Sequence, residues 1–214
     1  MSCFFEGIFI HKVIQAEIFR YWQRLNLRNK LKGATQLTMK KILIFVLAFS
    51  MIAILAACSD EKEKDSLTVF KSEDNKFQVS ASNSWEDAEG MLHPDSEIQI
   101  HNSQKEKYFI TLLESKEDFT DTSLQTYYDL VSEPFISSLD NSKQGDVKEV
   151  TINGNKALQY TLEGSVDNVS VTYLVTIIET PTHYGQLMAW TLNSKWDEYK
   201  DEYTSLTNSF KEVK

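Results

Sequence analysis

The sequence predicts an α+β domain in which an antiparallel β-sheet is flanked by helices, and three observations lead to this fold class. Several segments after residue 66 alternate apolar and polar residues, as half-buried strands do. Segment 169–179 is apolar on both sides in its later half, which is typical of a strand in a sheet covered on both faces. Two further segments repeat apolar residues at helical spacing, so we expect amphipathic helices over the sheet.

An apolar segment before this domain has the layout of an export signal. Lys40 and Lys41 precede residues 42–57, in which Ser50 is the only polar side chain. The segment ends in Leu55-Ala56-Ala57-Cys58, which resembles the lipobox of bacterial lipoproteins. That resemblance implies that Cys58 receives a diacylglycerol thioether and becomes the mature N-terminus, and that Leu55, Ala56 and Ala57 are recognised by the signal peptidase.

Two structural alternatives for the same segment are an uncleaved membrane anchor and a buried helix. Its sixteen apolar residues fall short of the roughly 20 that a spanning helix needs. The flanking Lys-Lys and Ala-Ala-Cys are unusual for a buried helix. Cys3 is the only other cysteine, so a disulfide scaffold is excluded and lipid attachment explains Cys58 better than redox or metal chemistry.

The chain divides into four segments around this signal. We interpret residues 1–38 as an upstream extension of the reading frame and residues 39–57 as the signal peptide. Residues 58–65 are charged and have nothing to bury, so they are predicted to form a disordered tether. Residues 66–214 then form one domain of ordinary size.

Charge is distributed unevenly along the chain. Residues 1–57 have a net charge of +6, whereas residues 58–214 contain 14 lysines, no arginine and 29 acidic residues, a net charge of −15. Such a surface repels nucleic acid and anionic lipid head groups, and the absence of arginine removes the usual bidentate phosphate ligand. We therefore expect no nucleic-acid partner. The acidic surface is compatible with cations or basic partners, although solubility is its commonest meaning.

The first half of the domain is predicted to contain four strands and a helix. The strands are expected at 67–70, 77–81, 97–101 and 108–114. A capping box of Thr122 and Gln125 begins the helix, whose apolar face runs from Leu124 to Leu139. Pro134 is expected to kink or divide that helix, because proline lacks the N–H group of the helical hydrogen bond.

The second half is predicted to be an antiparallel meander followed by a last helix. Its strands are expected at 146–152, 156–163, 169–179 and 186–192, with turns at 164–168 and 180–185. Asn153-Gly154 is a strong hairpin signal, since both turn positions need positive φ. Ser194 with Asp197 is expected to cap the helix. Its apolar face comprises Trp196, Tyr199, Tyr203, Leu206, Phe210 and Val213.

This order of elements resembles the PsbP-like superfamily, which also contains the Ran-binding Mog-one proteins and small lipoproteins of Gram-positive bacteria. The resemblance covers residues 67–214. It rests on the element order, on the Asn153-Gly154 hairpin followed by Lys-Ala-Leu-Gln-Tyr, and on the final segment 196–210. It implies an α/β/α sandwich around an antiparallel sheet, and proteins that mostly bind or stabilise other proteins rather than catalyse. It assigns no metal or partner site to particular residues.

No catalytic, cofactor or metal motif was found in residues 58–214. His93, His101 and His183 are well separated and lack zinc-ligand spacing, and we interpret His93 and His183 as exposed. The acids Glu114, Glu117, Asp118 and Asp121 lack the alternating aspartates and glycine of a calcium loop, so a solvated acidic loop is favoured, with Asp121 near the helix N-terminus. We predict no cofactor and no enzymatic activity.

Four aromatic residues have two interpretations. Trp85, Tyr108, Trp190 and Trp196 could line a cleft at the sheet edge, but core burial is favoured because they lie within periodic elements.

The leading functional hypothesis is a non-enzymatic lipoprotein of the cell envelope. Lipid on Cys58 would anchor it to the cell membrane on the extracytoplasmic face, where the domain binds a protein or peptide partner. A small-molecule or cation-binding lipoprotein is the alternative from another class, and a hydrolase is the third. A deep polar pocket would favour a small ligand, an exposed apolar surface a protein, and a nucleophile bonded to a histidine would favour catalysis.

Overall fold

The computed structural model describes residues 66–213, which contain eleven β-strands and two α-helices. The helices are α1 (Leu124–Ser137) and α2 (Trp196–Asn208), and short 3-10 turns cover Lys116–Asp118 and Asn193–Lys195. The strands are β1 (Leu67–Lys71), β2 (Phe77–Ser82), β3 (Glu86–Asp87), β4 (Ile98–Asn102), β5 (Lys107–Ser115), β6 (Asp140–Gln144), β7 (Lys148–Ile152), β8 (Asn155–Val166), β9 (Val169–Glu179), β10 (His183–Leu192) and β11 (Lys211–Glu212).

The strands form two antiparallel sheets. The main sheet has the order β3-β4-β5-β10-β9-β8-β6, and β7 also pairs with β8. A smaller sheet has the order β1-β2-β11, so the first and last described strands flank β2. No helix between residues 66 and 213 is both long and apolar enough to cross a membrane.

Both faces of the main sheet are covered. On one face, Leu174 and Ile178 of β9 pack in a core with β2 and α2. On the other face, Val175 and Ile177 pack in a second core with α1, where Tyr127 is fully buried. This explains why β9 is apolar on both sides, and the predicted α+β fold with helices flanking an antiparallel sheet is confirmed.

The beginning of α1 differs from the prediction. The Oγ of Ser123 accepts a hydrogen bond from the backbone N–H of Thr126 at 3.1 Å, so Ser123 is the N-cap and the predicted Thr122 capping box is wrong. Pro134 also does not divide the helix, which continues to Ser137. Because Pro134 has no N–H group, the carbonyl group of Leu130 receives no helical hydrogen bond from it. The residue Leu130 is 49% exposed to solvent.

The hairpins of the second half agree with the prediction in position, but two of their turns are shorter than predicted. The turn expected at 180–185 spans only 180–182, because β10 begins at His183. Asn153 and Gly154 have φ angles of 48° and 85°, as the predicted turn requires. The predicted turn at 164–168 is shorter, because β8 extends to Val166 and only two residues, Asp167 and Asn168, form the turn with positive φ. Gly164 therefore lies inside β8, where a Cβ atom would approach the Leu139 side chain to 2.7 Å.

The last helix also begins differently. A 3-10 turn precedes α2, the N-cap residue is Lys195 without a side-chain cap, and the predicted cap at Ser194 is wrong. Phe210 and Val213 lie beyond the helix instead of on its face. Phe210 is nevertheless fully buried, whereas Val213 is 37% exposed.

Candidate functional site

A cleft of about 300 Å³ lies between the end of β1 and the loop that joins β3 to β4. Its lining is largely polar and carries one basic and three acidic side chains. The polar and charged residues of the lining are Lys71, Glu73, Asp87, Ser96, Glu97 and Gln99.

The turn between β1 and β2 forms one wall of the cleft. Ser72 donates from its hydroxyl group to Asp74 Oδ1 at 2.7 Å, and the backbone N–H of Lys76 donates to the same oxygen at 3.0 Å. The Lys76 N–H and the Ser72 hydroxyl lower the pKa of Asp74 to about 2. The turn that positions Glu73 is therefore held by a carboxylate that stays ionised.

The loop before β4 forms the opposite wall, and Gln99 organises it. Its Oε1 accepts from the backbone N–H of Leu92 at 2.9 Å, and its Nε2 donates to the His93 carbonyl at 3.0 Å. His93 Nδ1 accepts from the Asp95 N–H at 3.1 Å. His93 is only 1% exposed, so its predicted exposure is wrong, and burial lowers its pKa.

Glu97 is the titratable group of the cleft whose pKa is most changed. Burial, and secondarily the charges of Asp74 and Asp95, raises its pKa to about 7 although backbone N–H groups oppose the shift. One of these is the N–H of Leu113, which donates to Glu97 Oε2 at 3.1 Å. Glu97 therefore gains or loses its proton near neutral pH.

Strand β1 leads into the cleft and exposes apolar side chains. Leu67 is 67% exposed and Val69 is 48% exposed. Phe70, by contrast, packs against the core beneath the small sheet. Neither the exposed strand nor Glu97 was predicted as a functional feature. The only local feature of the sequence that marks Glu97 is its position as a charged residue directly before an apolar strand.

The predicted lipidation residues cannot be located. Cys58, Leu55, Ala56 and Ala57 lie outside the described residues, and so do the predicted signal peptide and the predicted tether.

The predicted metal candidates are not brought together. Among residues 66–213, no three His, Cys, Asp or Glu side chains are grouped as ligands for a metal ion. His101 lies on β4 and His183 begins β10. Glu114 instead accepts a hydrogen bond from the Tyr127 hydroxyl at 2.6 Å, and Asp121 lies before the N-cap of α1.

One histidine lies beside a hydroxyl group, which is the arrangement that catalysis would require. Thr182 Oγ1 is 2.6 Å from His183 Nδ1, and it donates to Glu212 Oε1 at 2.8 Å. The hydroxyl group of Thr182 therefore lies between the imidazole and the carboxylate, and its single proton is given to Glu212. A nucleophile would need the histidine between itself and the acid.

The four aromatic residues do not form a cleft. Trp85 and Trp196 belong to the core beneath α2, whereas Tyr108 and Trp190 stack at 5.3 Å in the core beneath α1. Trp85, Tyr108 and Trp190 are each 3% exposed. The interpretation as core residues is confirmed for these three, whereas Trp196 is partly buried and packs against the core.

Comparisons with known proteins support the fold. No protein-family model and no curated protein sequence matches the chain significantly. The solution structure of cyanobacterial PsbP (CyanoP) from Synechocystis is 15% identical, with a TM-score of 0.52, and the match covers 74% of this chain and 99% of that one. LpqN, involved in cell envelope biogenesis of Mycobacterium tuberculosis, is 12% identical, with a TM-score of 0.51 and coverage of 72% and 88%. The domain therefore has a PsbP-like fold, as the sequence resemblance implied.

Proposed function

We propose that this chain is a non-enzymatic bacterial lipoprotein that lipid on Cys58 anchors to the extracytoplasmic face of the cell membrane, where its domain binds a protein or peptide partner. The order of segments carries this proposal: a lipobox, then residues 59–66 without one apolar side chain, then β1 from Leu67. A polar spacer between anchor and domain is what a membrane-tethered protein needs. LpqN, which has a similar fold, is described as involved in cell envelope biogenesis, and this agrees with an envelope location for the present chain.

A protein partner explains the exposed surface better than catalysis does. Leu67 and Val69 are neighbouring apolar side chains on one face of an exposed strand, and such surfaces are used for protein contacts. The hydroxyl and imidazole groups of Thr182 and His183, by contrast, are arranged in the wrong order for nucleophilic catalysis.

A small cationic ligand is the second candidate, and the acidic cleft favours it. The cleft volume of about 300 Å³ is at the lower end of ligand pockets. Calorimetric titration of the full chain with calcium, zinc and spermidine would test this candidate. Binding that Glu97→Gln abolishes would place a small cation in the cleft.

Lipid anchoring is tested by substitution of Cys58. Cys58→Ala should abolish labelling by a fatty-acid analogue and leave a slower-migrating precursor, because the acylated thiol creates the substrate of the lipoprotein signal peptidase. Cys3→Ala is the matched control and should leave labelling unchanged. Labelling that persists in Cys58→Ala would contradict the proposal.

The labelled protein should also remain in the membrane fraction after a salt wash. A diacylglyceryl group has two acyl chains, and at about 0.8 kcal/mol per buried CH₂ two chains anchor stably where one is marginal. Release by salt would indicate electrostatic attachment instead of lipid.

A further inference from the structure

The hydrogen-bonding pattern of β2 shows which backbone groups of β1 face outward. The N–H of Ser72 donates to the carbonyl of Phe77, so the backbone groups of Phe77 face β1. The N–H of Ser80 instead donates to the Oγ of Ser209 at 2.8 Å, on the other side of β2. Val69 is opposite Ser80 in the register, so in an antiparallel pair its own N–H and C=O point away from β2.

The outward edge of β1 is therefore defined by alternate residues. Leu67 and Lys71 lie two positions from Val69 and share its orientation. Among the described strands, β2 is the only one that pairs with β1. Edge strands are usually protected by charged residues, proline or bulges, but the side chains beside this edge include the exposed Leu67 and Val69.

The cleft adds a charge preference at the end of β1. Three carboxyl side chains, of Glu73, Asp87 and Glu97, line it against the single amine of Lys71. A basic side chain that enters the cleft would meet this excess of acids, and it would also favour the ionised form of Glu97.

We propose that the edge of β1 with which no described strand pairs binds an extended segment of a partner protein as an added β-strand, and that a lysine or arginine of this segment enters the cleft. The inference rests on the proposed function as a partner-binding domain and specifies the chemistry of the partner. Main-chain hydrogen bonds to Leu67, Val69 and Lys71 provide the affinity, while the cleft and the exposed apolar side chains select the sequence.

Two other occupants fit this surface less well. In a two-fold symmetric pairing of β1 with a second copy centred on Val69, the second copy's Lys71 side chain would lie opposite Leu67, away from the cleft. A membrane surface is disfavoured because the acidic residues around the cleft repel anionic head groups.

The first test uses hydrogen-exchange mass spectrometry of the full chain in detergent micelles. The probes are two synthetic peptides of alternating valine and threonine, one with lysine at both ends and the other with glutamate at both ends. The lysine peptide should slow exchange of residues 67–71 at concentrations up to about 1 mM. The glutamate peptide should bind at least about tenfold more weakly.

Variants distinguish the contribution of the strand edge to peptide binding from the contribution of the cleft. Val69→Pro removes an N–H that does not bond to β2, so it should abolish protection by the peptide while exchange in β9 stays unchanged. Glu97→Gln combined with Asp87→Asn should weaken the lysine peptide about tenfold. Leu130→Ser, on the exposed surface of α1, is the matched control and should leave binding unchanged.

Three results would overturn the inference: equal protection by both peptides, protection that persists in Val69→Pro, or no protection by the lysine peptide. The first would remove the role of the cleft, and the second would place the peptide away from the edge of β1.

Photo-cross-linking in the producing cells distinguishes failure of this inference from failure of the proposed function. A photoreactive amino acid replaces Leu67 or, separately, Leu130 in the full chain. Protein adducts at position 67 that Val69→Pro removes would support the inference. Protein adducts only at position 130 would overturn it and leave the proposed function intact. Lipid adducts alone, or no adducts at either position, would count against both.

Discussion

The ammonium group of Lys107 lies 2.6 and 2.7 Å from the two carboxylate oxygens of Glu202, and this pair connects β5 to α2. The indole N–H of Trp85 donates to Glu202 Oε1 at 2.7 Å, so the connection between β2 and β3 also contacts this pair. The ammonium group also lies 4.8 Å from the centre of the Trp85 ring and 5.2 Å from that of Tyr199. The Lys107 side chain is only 2% exposed, whereas that of Glu202 is 34% exposed.

Removing the negative charge of this pair should destabilise the domain. We expect Glu202→Gln to lower the free energy of unfolding by about 1 to 3 kcal/mol, because the buried Lys107 would lose its carboxylate partner, although Glu202 itself is partly exposed and screened by solvent. Asp201→Asn, at an exposed position on the same helix, should change it by less than about 0.5 kcal/mol. Urea unfolding of both variants measures the two free energies of unfolding. An equal decrease in both variants would show that the pair does not stabilise the fold more than an exposed acid does.

The aromatic contact behind α2 gives a second prediction. Phe210 is fully buried, and its ring stacks on Phe77 at 6.0 Å. Phe210→Ala should therefore lower the free energy of unfolding by about 3 to 5 kcal/mol through lost burial and the cavity that remains. Val213→Ala removes a side chain that is 37% exposed and should have a much smaller effect. An unchanged urea midpoint for Phe210→Ala would contradict this packing.

A third prediction concerns the boundary of the domain. A fragment of residues 66–214 contains both cores, so it should unfold in one cooperative urea transition without residues 1–65. A matched fragment that ends at residue 208 lacks β11 and Phe210 and should not fold cooperatively. A broad or biphasic transition in the longer fragment would show that the boundary is wrong.

The fourth prediction follows from the raised pKa of Glu97. Its folded-state pKa of about 7 lies above the ordinary value of 4.5, so between these values the folded protein holds a proton that the unfolded chain releases. The contribution of Glu97 to the free energy of unfolding therefore decreases as pH rises through this window, and the loss is complete above it. One pKa unit is worth about 1.4 kcal/mol, and solvent screening reduces the total to about 1 to 2 kcal/mol.

Comparison with Glu97→Gln isolates this contribution. The variant should gain about 1 to 2 kcal/mol relative to the wild type between about pH 5 and about pH 8. The buried His93 and His101, whose pKa values are lowered from 6.5, destabilise the fold as pH decreases and act equally in both proteins. A constant difference across the range would show that Glu97 titrates normally.

Local signals explain which parts of the fold were predictable from the sequence. The bounds of β9 agree with the predicted segment 169–179, because a long apolar run between two turns indicates a single buried strand. Strand β6 was missed because it has the sequence DNSKQ and is largely exposed. It is held by pairing with β8 and by the hydrogen bond that the Gln144 amide group donates to the Tyr128 hydroxyl group of α1 at 2.7 Å. No apolar alternation marks such an edge strand.

The candidate site was not predictable for a different reason. Its walls come from the β1–β2 turn and from the loop before β4, which approach each other only when the small sheet packs on the main sheet. The raised pKa of Glu97 likewise depends on burial by distant residues. Neither the approach of the two walls nor the burial of Glu97 produces a periodic pattern or a residue spacing along the sequence.

The position of the small sheet determines how mechanical force would act on a tethered domain. Because β1 and β11 both run antiparallel to β2, they are parallel to each other, and Leu67 and Glu212 lie towards opposite ends of β2. A pull between the proposed lipid anchor at Cys58 and Val213 would therefore load the small sheet in shear. The hydrogen bonds of each strand pair would then resist together instead of opening one after another. Strand β11 should detach from β2 first, because it has only two residues. The hydrogen bond from the Val213 N–H to the Lys76 carbonyl at 2.6 Å supports this pairing.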